Sequence, residues 1–595
     1  MTHKREKILR GIPVSHGFAQ GVAFVYRPYL PHLDEHVLEP DVLAGEVRRF
    51  QRAVKAAERE LRRLHARVKR EMGHDFAEFI DVQLALLADE EVLSETERFI
   101  RKRGRNAEFA YEETLKRLTR PMTKSDVPLF QERSMDVVDV SARVLRHLLG
   151  EELPSLYEVL PGSIIIARDL PPSEAALLDK EKISGLVLES GGKTSHTAIM
   201  AKAKEIPAVV GVESVCREAS EGLPVLVDGY RGLAILNPTR KRLNAYKSDF
   251  ELYQRHRQSL SLLVEQEPVT ADGKMIDLSA NIGFSAEARA ALRYGARGVG
   301  LFRTEYIYLA RRRPPTEDEQ FEVFAEVAKM LNSRPVIVRT FDLGGDKVIP
   351  GYSESNPFLG WRGLRLCFDN VELFKGQLRA ILRSSAFGNV KIMFPMVSAL
   401  GELRRAKLLV DEAKRELRKQ GVKFDEQLEI GVMVETPSAA IMADQLAQEC
   451  SFLSIGSNDL TQYTLAVDRG NERVAELYDH FHPAVLQLIR QTIAAAHRHG
   501  IWVGLCGEFA SDPLGILVLL GFGIDEMSVS PGLIPEAKNI IRTIDTQSAV
   551  EIMDDAMKLG TGLEVKRLLR RELRRRFPKL AEFLFELEMA DSRNG

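Results

Sequence analysis

The chain is poor in cysteine. Only four occur in 595 residues, Cys216, Cys367, Cys450 and Cys506, far apart and with no C-x-x-C pair. That spacing excludes a disulfide framework and a zinc ribbon, and it fits thiols kept reduced in the cytoplasm. Long apolar runs are missing too. No stretch reaches the roughly 18 consecutive apolar residues that a membrane-spanning helix needs. The opening residues, MTHKREKILRGIP, are charged where a secretory signal carries its apolar core. Charge of one sign is also lacking: 83 Lys and Arg face 85 Asp and Glu, a net charge of −2. A nucleic-acid partner has no electrostatic footprint here. What is present, 45% hydrophobic and 28% charged residues, is the composition of a globular cytoplasmic protein without a membrane partner. At roughly 150 residues per domain, three or four domains are expected.

Residues 11–27 are Gly-punctuated and β-rich, and then the pattern changes. Leu43, Val47, Phe50, Val54, Ala57, Leu61, Leu64 and Val68 alternate spacings of four and three, a heptad stripe flanked by Arg, Lys and Glu. Further amphipathic helix is read over 75–103, 107–118 and 133–149, which makes 28–151 a helical bundle. β-type runs return at SIIIARD, ISGLVLE, PAVVGV and PVLVDGYRGLAILN, the last with an Asp228-Gly229 turn. The simplest organisation is one β/α domain from 1–27 and 152–236 with the bundle inserted into it. Asn237-Pro238 reads as the cap and first residue of a mostly polar linker helix within 237–266, with Leu243 and Tyr246 on its apolar stripe. From 267 to 595 eight short apolar runs can be marked: 275–281, 298–303, 336–341, 391–396, 430–435, 452–456, 501–506 and 525–530. Helical patterns at 316–331, 401–419, 437–449 and 483–498 separate them, so the fold class is multidomain α/β ending in a (β/α)8 barrel.

Barrel enzymes carry catalytic side chains at the C-terminal ends of strands. Those positions hold Arg303, Arg339, Glu435, Asn458-Asp459 and Cys506. Arginine forks match phosphate and carboxylate oxygens, and a Glu with an Asp suits a Mg²⁺ that also takes substrate oxygens. NPFLGWRGLR adds Arg362, and Arg469 follows the Asp459 carboxylate. The basic run VKRLLRRELRRR lacks interleaved aromatics and reads as a solvated helix face, and RRRPP at 311–315 as a charged loop. In the β/α domain, SGLVLESGGKTSHTAIM runs from strand through a Gly-rich turn to a helix. A nucleotide P-loop ending at Gly192-Lys193-Thr194 would need glycine at 187, which is Val187. With Thr194 or Ser195 as cap, His196 falls in the first helical turn. The positive helix end disfavours imidazolium, leaving a neutral nucleophilic ring, and it favours a phosphoryl group once bound.

At these residues the chain resembles a known family. GGKTSHTAIMAKAKEIPAVVG is similar to the phosphohistidine signature of phosphoenolpyruvate-utilising enzymes. GLFRTEYIYL, VIVRTFDLGGDK, NPFLGWRGLR, VMVETPSAA, FLSIGSNDLTQYTLAVDRGN and GLCGEFASDP resemble their barrel motifs. Within that superfamily the inserted bundle resembles the Enzyme I family of the bacterial phosphotransferase system. The resemblance implies a swivelling phosphohistidine domain and phosphoryl transfer from phosphoenolpyruvate to His196, then to a histidine of the carrier HPr, which the bundle docks. It implies Mg²⁺ on Glu435 and Asp459, and Arg303 and Arg339 on the phosphoryl group. Arg362, Asn458 and Arg469 would hold the substrate carboxylate and neighbouring oxygens, and Cys506 would be the general acid that converts enolate to pyruvate. The bundle segment LALLADEEV, with Asp89, Glu90 and Glu91, matches part of the docking face, and the barrel is expected to form a homodimer. Two alternatives keep the fold: a nitrogen-type regulatory relay, or a catalytically silent carrier-binding scaffold. Two positions depart from the family pattern: Lys193 stands for an arginine, and Ala175 for a threonine that contacts the histidine ring.

Overall fold

The computed structural model describes residues 5–15, 17–26, 34–72, 74–123, 128–150, 156, 159–171, 174–175, 178–192, 196–309, 314–345, 354–471, 473–582 and 584. The chain divides into two compact units, Met1–Phe250 and Glu251–Gly595.

In the first unit the β-rich segments become β1 (Lys7–Arg10), β2 (Ile12–Ser15), β3 (Phe18–Tyr26), β4 (Ser163–Ala167), β5 (Ile183–Leu188), β6 (Ala208–Val210), β7 (Pro224–Asp228) and β8 (Leu233–Leu236). They join in one sheet of order β1-β8-β7-β3-β4-β5-β6-β2, so strands from both ends of the unit interleave. The expected hairpin is β7–β8. Asp228 Oδ1 accepts the backbone N–H groups of Tyr230 and Arg231, each at 3.0 Å, and so closes its turn. Between β3 and β4 lie five helices: α1 (Leu43–Met72), α2 (His74–Leu87), α3 (Glu90–Arg103), α4 (Ala107–Thr123) and α5 (Pro128–Leu149). The heptad stripe is the buried face of α1, where Val47, Phe50, Ala57, Leu61, Leu64 and Val68 are buried in a bundle that packs α1 against the other four helices, Phe50 against Tyr111 of α4.

Two helical expectations change here. The span 75–103 is two helices, because Asp89 caps α3 by accepting the N–H groups of Glu91 and Val92. Asn237 is not a helix cap: it sits at φ +49° and donates its N–H to the Pro224 carbonyl, closing the sheet. The helix is Arg240–Ser261, with Thr239 Oγ1 accepting the Arg242 N–H at 3.3 Å. Of its expected stripe, Tyr246 is buried, and its hydroxyl donates to Asp228 Oδ2 at 3.2 Å.

The second unit is the expected barrel. Its strands are β9 (Asp277–Ile282), β10 (Val299–Arg303), β11 (Val336–Arg339), β12 (Val390–Phe394), β13 (Ile430–Val434), β14 (Phe452–Ile455), β15 (Trp502–Leu505) and β16 (Glu526–Val529). All pairs are parallel and β16 closes onto β9. Strand alternation sends Leu278, Ala280 and Ile282 outward into the core shared with the helices. Leu301, Ile337, Met393, Met433, Phe452 and Cys506 form a second apolar cluster inside. The helix expected over 437–449 is interrupted, as Pro437–Ile441 and Ala443–Ala447. The basic C-terminal run lies on the helix Gly562–Arg576, whose buried stripe is Val565, Leu569 and Leu573. RRRPP falls largely outside the described residues. No described helix is long and apolar enough to cross a membrane.

Candidate active site

Parallel strands end together, so the residues just past them share one mouth. Arg303 and Arg339 are in register at the ends of β10 and β11. Arg339 is buried. It donates to Glu305 Oε1 at 2.7 Å, lies 3.3 Å from Asp342 Oδ2, and turns its other terminal nitrogen to Met433 Sδ at 3.6 Å. Arg362 enters from the loop that follows β11. Its Nη2 donates to both Asp342 oxygens at 3.0 and 2.9 Å, and its Nη1 to the Tyr463 hydroxyl at 3.1 Å and to Asp459 Oδ1 at 3.5 Å. With only 2% of the side chain exposed on Arg362 and on Asp342, the pair is sealed from water. A glycine makes this approach possible. Gly344 sits at φ +94°, and a Cβ there would meet the Trp361 carbonyl at 2.4 Å and Arg362 Cβ at 2.8 Å.

Glu435 follows β13 and is buried; its Oε1 accepts the Met396 N–H at 2.6 Å. Met396 presents that N–H from a left-handed conformation, φ +54°, a strained backbone retained at the site. Burial first, then the carboxylates of Asp459 and Asp342, raise the Glu435 pKa above the ordinary carboxylate range. Asp459 lies in the first turn of the helix Ser457–Leu465. Four carboxyls, Glu305, Asp342, Glu435 and Asp459, therefore share one water-poor space with Arg339 and Arg362, and carboxyl oxygens are the donors a divalent cation takes together with substrate oxygens. Among the described residues no three His, Cys, Asp or Glu side chains form a closed metal cage.

Cys506 follows β15 and is buried; it receives a contact from Ser454 Oγ at 3.5 Å. Burial pushes its thiol up to about 12, so it keeps its proton at neutral pH. Arg303 lies 5.0 Å from the centre of the Tyr306 ring, and its buried Nε has no partner among the described residues. Asn458 Oδ1 accepts the Glu508 N–H at 2.9 Å, and the Arg469 N–H donates to Gln462 Oε1 at 3.2 Å. Both are thereby engaged in shaping the loops around Asp459. The sequence reading missed Asp342 and Glu305, the carboxylates that hold the two arginines. The available signal was spacing: each acid follows an arginine by two or three residues, in RTE and RTFD.

Behind the Asp459 helix, Thr461 Oγ1 and His480 Nδ1 lie 2.9 Å apart, and the ring packs edge-on to Tyr478. Burial pushes His480 down to about 4. The unfolded chain takes up a proton near pH 6.5 that the folded ring refuses until about 4. This contribution is complete above about pH 6.5 and is lost as pH falls toward 4, by about 3 kcal/mol. Urea unfolding at pH 7 and pH 4 should show wild type losing about that much more than His480→Gln. Equal losses would mean that the ring titrates normally.

In the first unit, β5 ends at Leu188, and the chain turns at Gly191 (φ +101°) before the helix His196–Ala203. His196 is the first helical residue, in the strand–turn–helix setting expected. Thr197, Ala198, Met200 and Ala201 bury the helix against the sheet side, and Thr197 Oγ1 donates to the Leu170 carbonyl at 3.1 Å. Lys193, Thr194, Ser195 and the His196 side chain lie outside the described residues. Ala175 is fully buried.

Comparison with known proteins finds matches along most of the chain. Residues 257–546 match the PEP-binding domain of PEP-utilising enzymes, 10–133 their N-terminal region and 159–232 their mobile domain. A phosphoenolpyruvate-protein phosphotransferase of Bacillus sp. (strain S) is 42% identical over 570 residues, 95% of this chain and 98% of that one. The chain belongs to the phosphoenolpyruvate-utilising enzyme family. Family members of the same name include one from Geobacillus stearothermophilus, 42% identical over the same shares, and one from Haemophilus influenzae, 39% identical over 94% of this chain and 98% of its own. A solution structure of Enzyme I (nEIt) is 33% identical with TM-score 0.36, covering 41% of this chain and 99% of that one.

Proposed function

We propose that this chain transfers the phosphoryl group of phosphoenolpyruvate to His196 and then to a histidine of an HPr-like carrier protein, releasing pyruvate. The supporting observation is the barrel mouth, where the buried arginines Arg339 and Arg362, held by carboxylates, and the buried thiol of Cys506 lie past the ends of parallel strands. In this reading Arg303 and Arg339 hold the phosphoryl group, and Arg362, Asn458 and Arg469 the carboxylate and neighbouring oxygens. Glu435 and Asp459 would hold Mg²⁺, which supplies charge neutralisation for the transferring group. His196 attacks the phosphorus in line, and the enolate left behind takes its methyl proton from Cys506.

We assign 1–27 and 152–236 to the phosphohistidine domain, 28–151 to carrier docking, 237–266 to a linker, and 267–595 to the barrel and a homodimer contact. One histidine serving a substrate in the barrel and a separate protein requires its domain to move between them. On the docking segment, Glu90 and Glu91 are exposed and suit a basic carrier, whereas Asp89 is engaged as a cap.

The test is carrier transfer. With labelled phosphoenolpyruvate and Mg²⁺, label should pass through the chain to a sugar-transport carrier of the same genome, and chelation should stop it. Transfer only to a nitrogen-type carrier would make this chain a regulatory relay. No labelling of the chain at all would leave a scaffold.

A further inference from the structure

The barrel floor holds a carboxyl that this mechanism does not use. Glu526 opens β16, points into the barrel and is 5% exposed. Neither carboxyl oxygen accepts a hydrogen bond of ordinary geometry. Two glycines make room for it: a Cβ at Gly300 would meet Glu526 Oε1 at 2.0 Å, and one at Gly504 would meet Oε2 at 2.1 Å. The same Gly300 position lies 2.6 Å from Ser528 Oγ, also buried and unpartnered, so the carboxyl and the hydroxyl share one small space. Asn281 Nδ2 bridges the Cys506 and Ser528 carbonyls at 2.9 and 3.0 Å, while its Oδ1 is left unpartnered. One side of the barrel interior is thus an apolar plug. The other, along β9, β15 and β16, is a polar column in which the Glu526 carboxyl, the Ser528 hydroxyl and Asn281 Oδ1 lack a hydrogen bond of ordinary geometry. An unpaired buried carboxyl is costly, and natural cores retain one where it has work to do.

The column leads to the thiol. Gly504 is opposite Glu526 and Leu505 opposite Met527; carrying that register one residue further puts Cys506 level with Ser528, whose carbonyls Asn281 joins, while the thiol itself contacts Ser454 Oγ at 3.5 Å and the Ile455 carbonyl at 3.8 Å. Inward positions on a strand are about 7 Å apart, within reach of a single hydroxyl or water hand-off. Below, Glu526 is in register with Asp277, whose side chain is largely exposed at the barrel's N-terminal end. The other charged group acting on it is Lys391 of β12, which ion-pairs with Glu429 at 2.8 Å. Burial, then the Asp277 charge, push Glu526 up to about 8, and the Ser279 hydroxyl and Lys391 oppose that rise. The carboxyl is therefore mostly protonated at neutral pH. A buried thiol that has given up its proton needs such a source.

We propose that Glu526 reprotonates Cys506 from inside the barrel, through Ser528. In this step the Glu526 O–H breaks, the Ser528 hydroxyl takes that proton and passes its own, and a new S–H bond forms on the thiolate. The carboxylate then regains a proton from water at the Asp277 end. The proposal rests on Cys506 being the general acid, and Glu526 acts through it, never on the substrate.

The test uses the full chain alone in deuterated buffer with phosphoenolpyruvate, pyruvate and Mg²⁺. Carbon-labelled pyruvate exchanging into phosphoenolpyruvate counts cycles, and deuterium entering the pyruvate methyl counts proton renewal at the thiol. Glu526→Gln should leave carbon exchange within about threefold of wild type and lower deuterium entry per cycle about tenfold or more. An unchanged ratio of deuterium to carbon exchange overturns the relay, even if both rates fall together. Ser528→Ala should lower the same ratio, and it decides the matter should the Glu526 variant fail to fold. Cys506→Ala separates the two readings. If it leaves both exchanges intact, the general-acid assignment itself fails. If it stops them while Glu526→Gln keeps the wild-type ratio, only the relay fails.

Discussion

Replacing His196 by alanine is expected to abolish acid-labile phosphoryl label on the chain and all transfer to a carrier, a loss of at least about 10⁴-fold. Phosphoenolpyruvate affinity, measured by calorimetry with Mg²⁺, should stay within about twofold, because the proposed binding groups all belong to the barrel unit. The size of the effect follows from the chemistry. The histidine forms the covalent intermediate, and it opens a helix that follows a strand and the Gly191-Gly192 turn; His74 opens α2 within the helical bundle, and His482 caps a helix, with its ring nitrogen accepting the Ala484 N–H at 3.2 Å. Wild-type labelling in the variant would move the phosphoryl site elsewhere.

The second large effect is at Arg362. Its guanidinium is the shared counter-charge of Asp342 and Asp459, and all three are buried. Arg362→Met should cost the barrel about 3–5 kcal/mol, because removing one member of a buried ion pair strands the others. It should also remove turnover by losing a substrate anchor. Arg362→Lys separates the two roles. The ammonium restores most of the charge balance, so denaturant stability should return to within about 1–2 kcal/mol of wild type. It cannot reproduce a fork that serves Asp342 and Asp459 together, so turnover should stay down by about 10²-fold. A lysine variant with wild-type activity would mean that charge alone matters at this position.

Much of this was readable from the residues. The eight barrel strands announce themselves as apolar runs closed by Gly, Pro or a charged residue, and placing Arg339, Glu435 and Cys506 at strand ends needs only that register. The inward face was less legible. Ser279, Ser528 and Glu526 sit in runs whose outward neighbours, Leu278, Met527 and Val529, supply the apolar signal. A glutamate at a strand's first residue reads as a solvent-facing end, and only the closed barrel turns it inward. Helix boundaries failed for a related reason. Ala88-Asp89 leaves the 75–103 periodicity unbroken to the eye, yet the Asp89 side chain competes for backbone N–H groups and starts a new helix. Asp342 and Glu305 were missed because their role is to hold arginines brought near by the barrel, which short spacing hints at and only the fold completes.

The interleaved sheet of the first unit sets a timetable for synthesis. β1 pairs with β8, Lys7 opposite Leu236, so the first strand must wait for a partner made roughly 200 residues later. At about 5–20 residues per second, that wait is about 10–40 s on the ribosome. The bundle α1–α5 is contiguous and rich in local contacts, so it can fold during the interval. β3 waits only for β4 and β2 for β6, but β1 stays unpaired at the nascent end throughout, and this is the window in which chaperone dependence or aggregation of this chain should be sought.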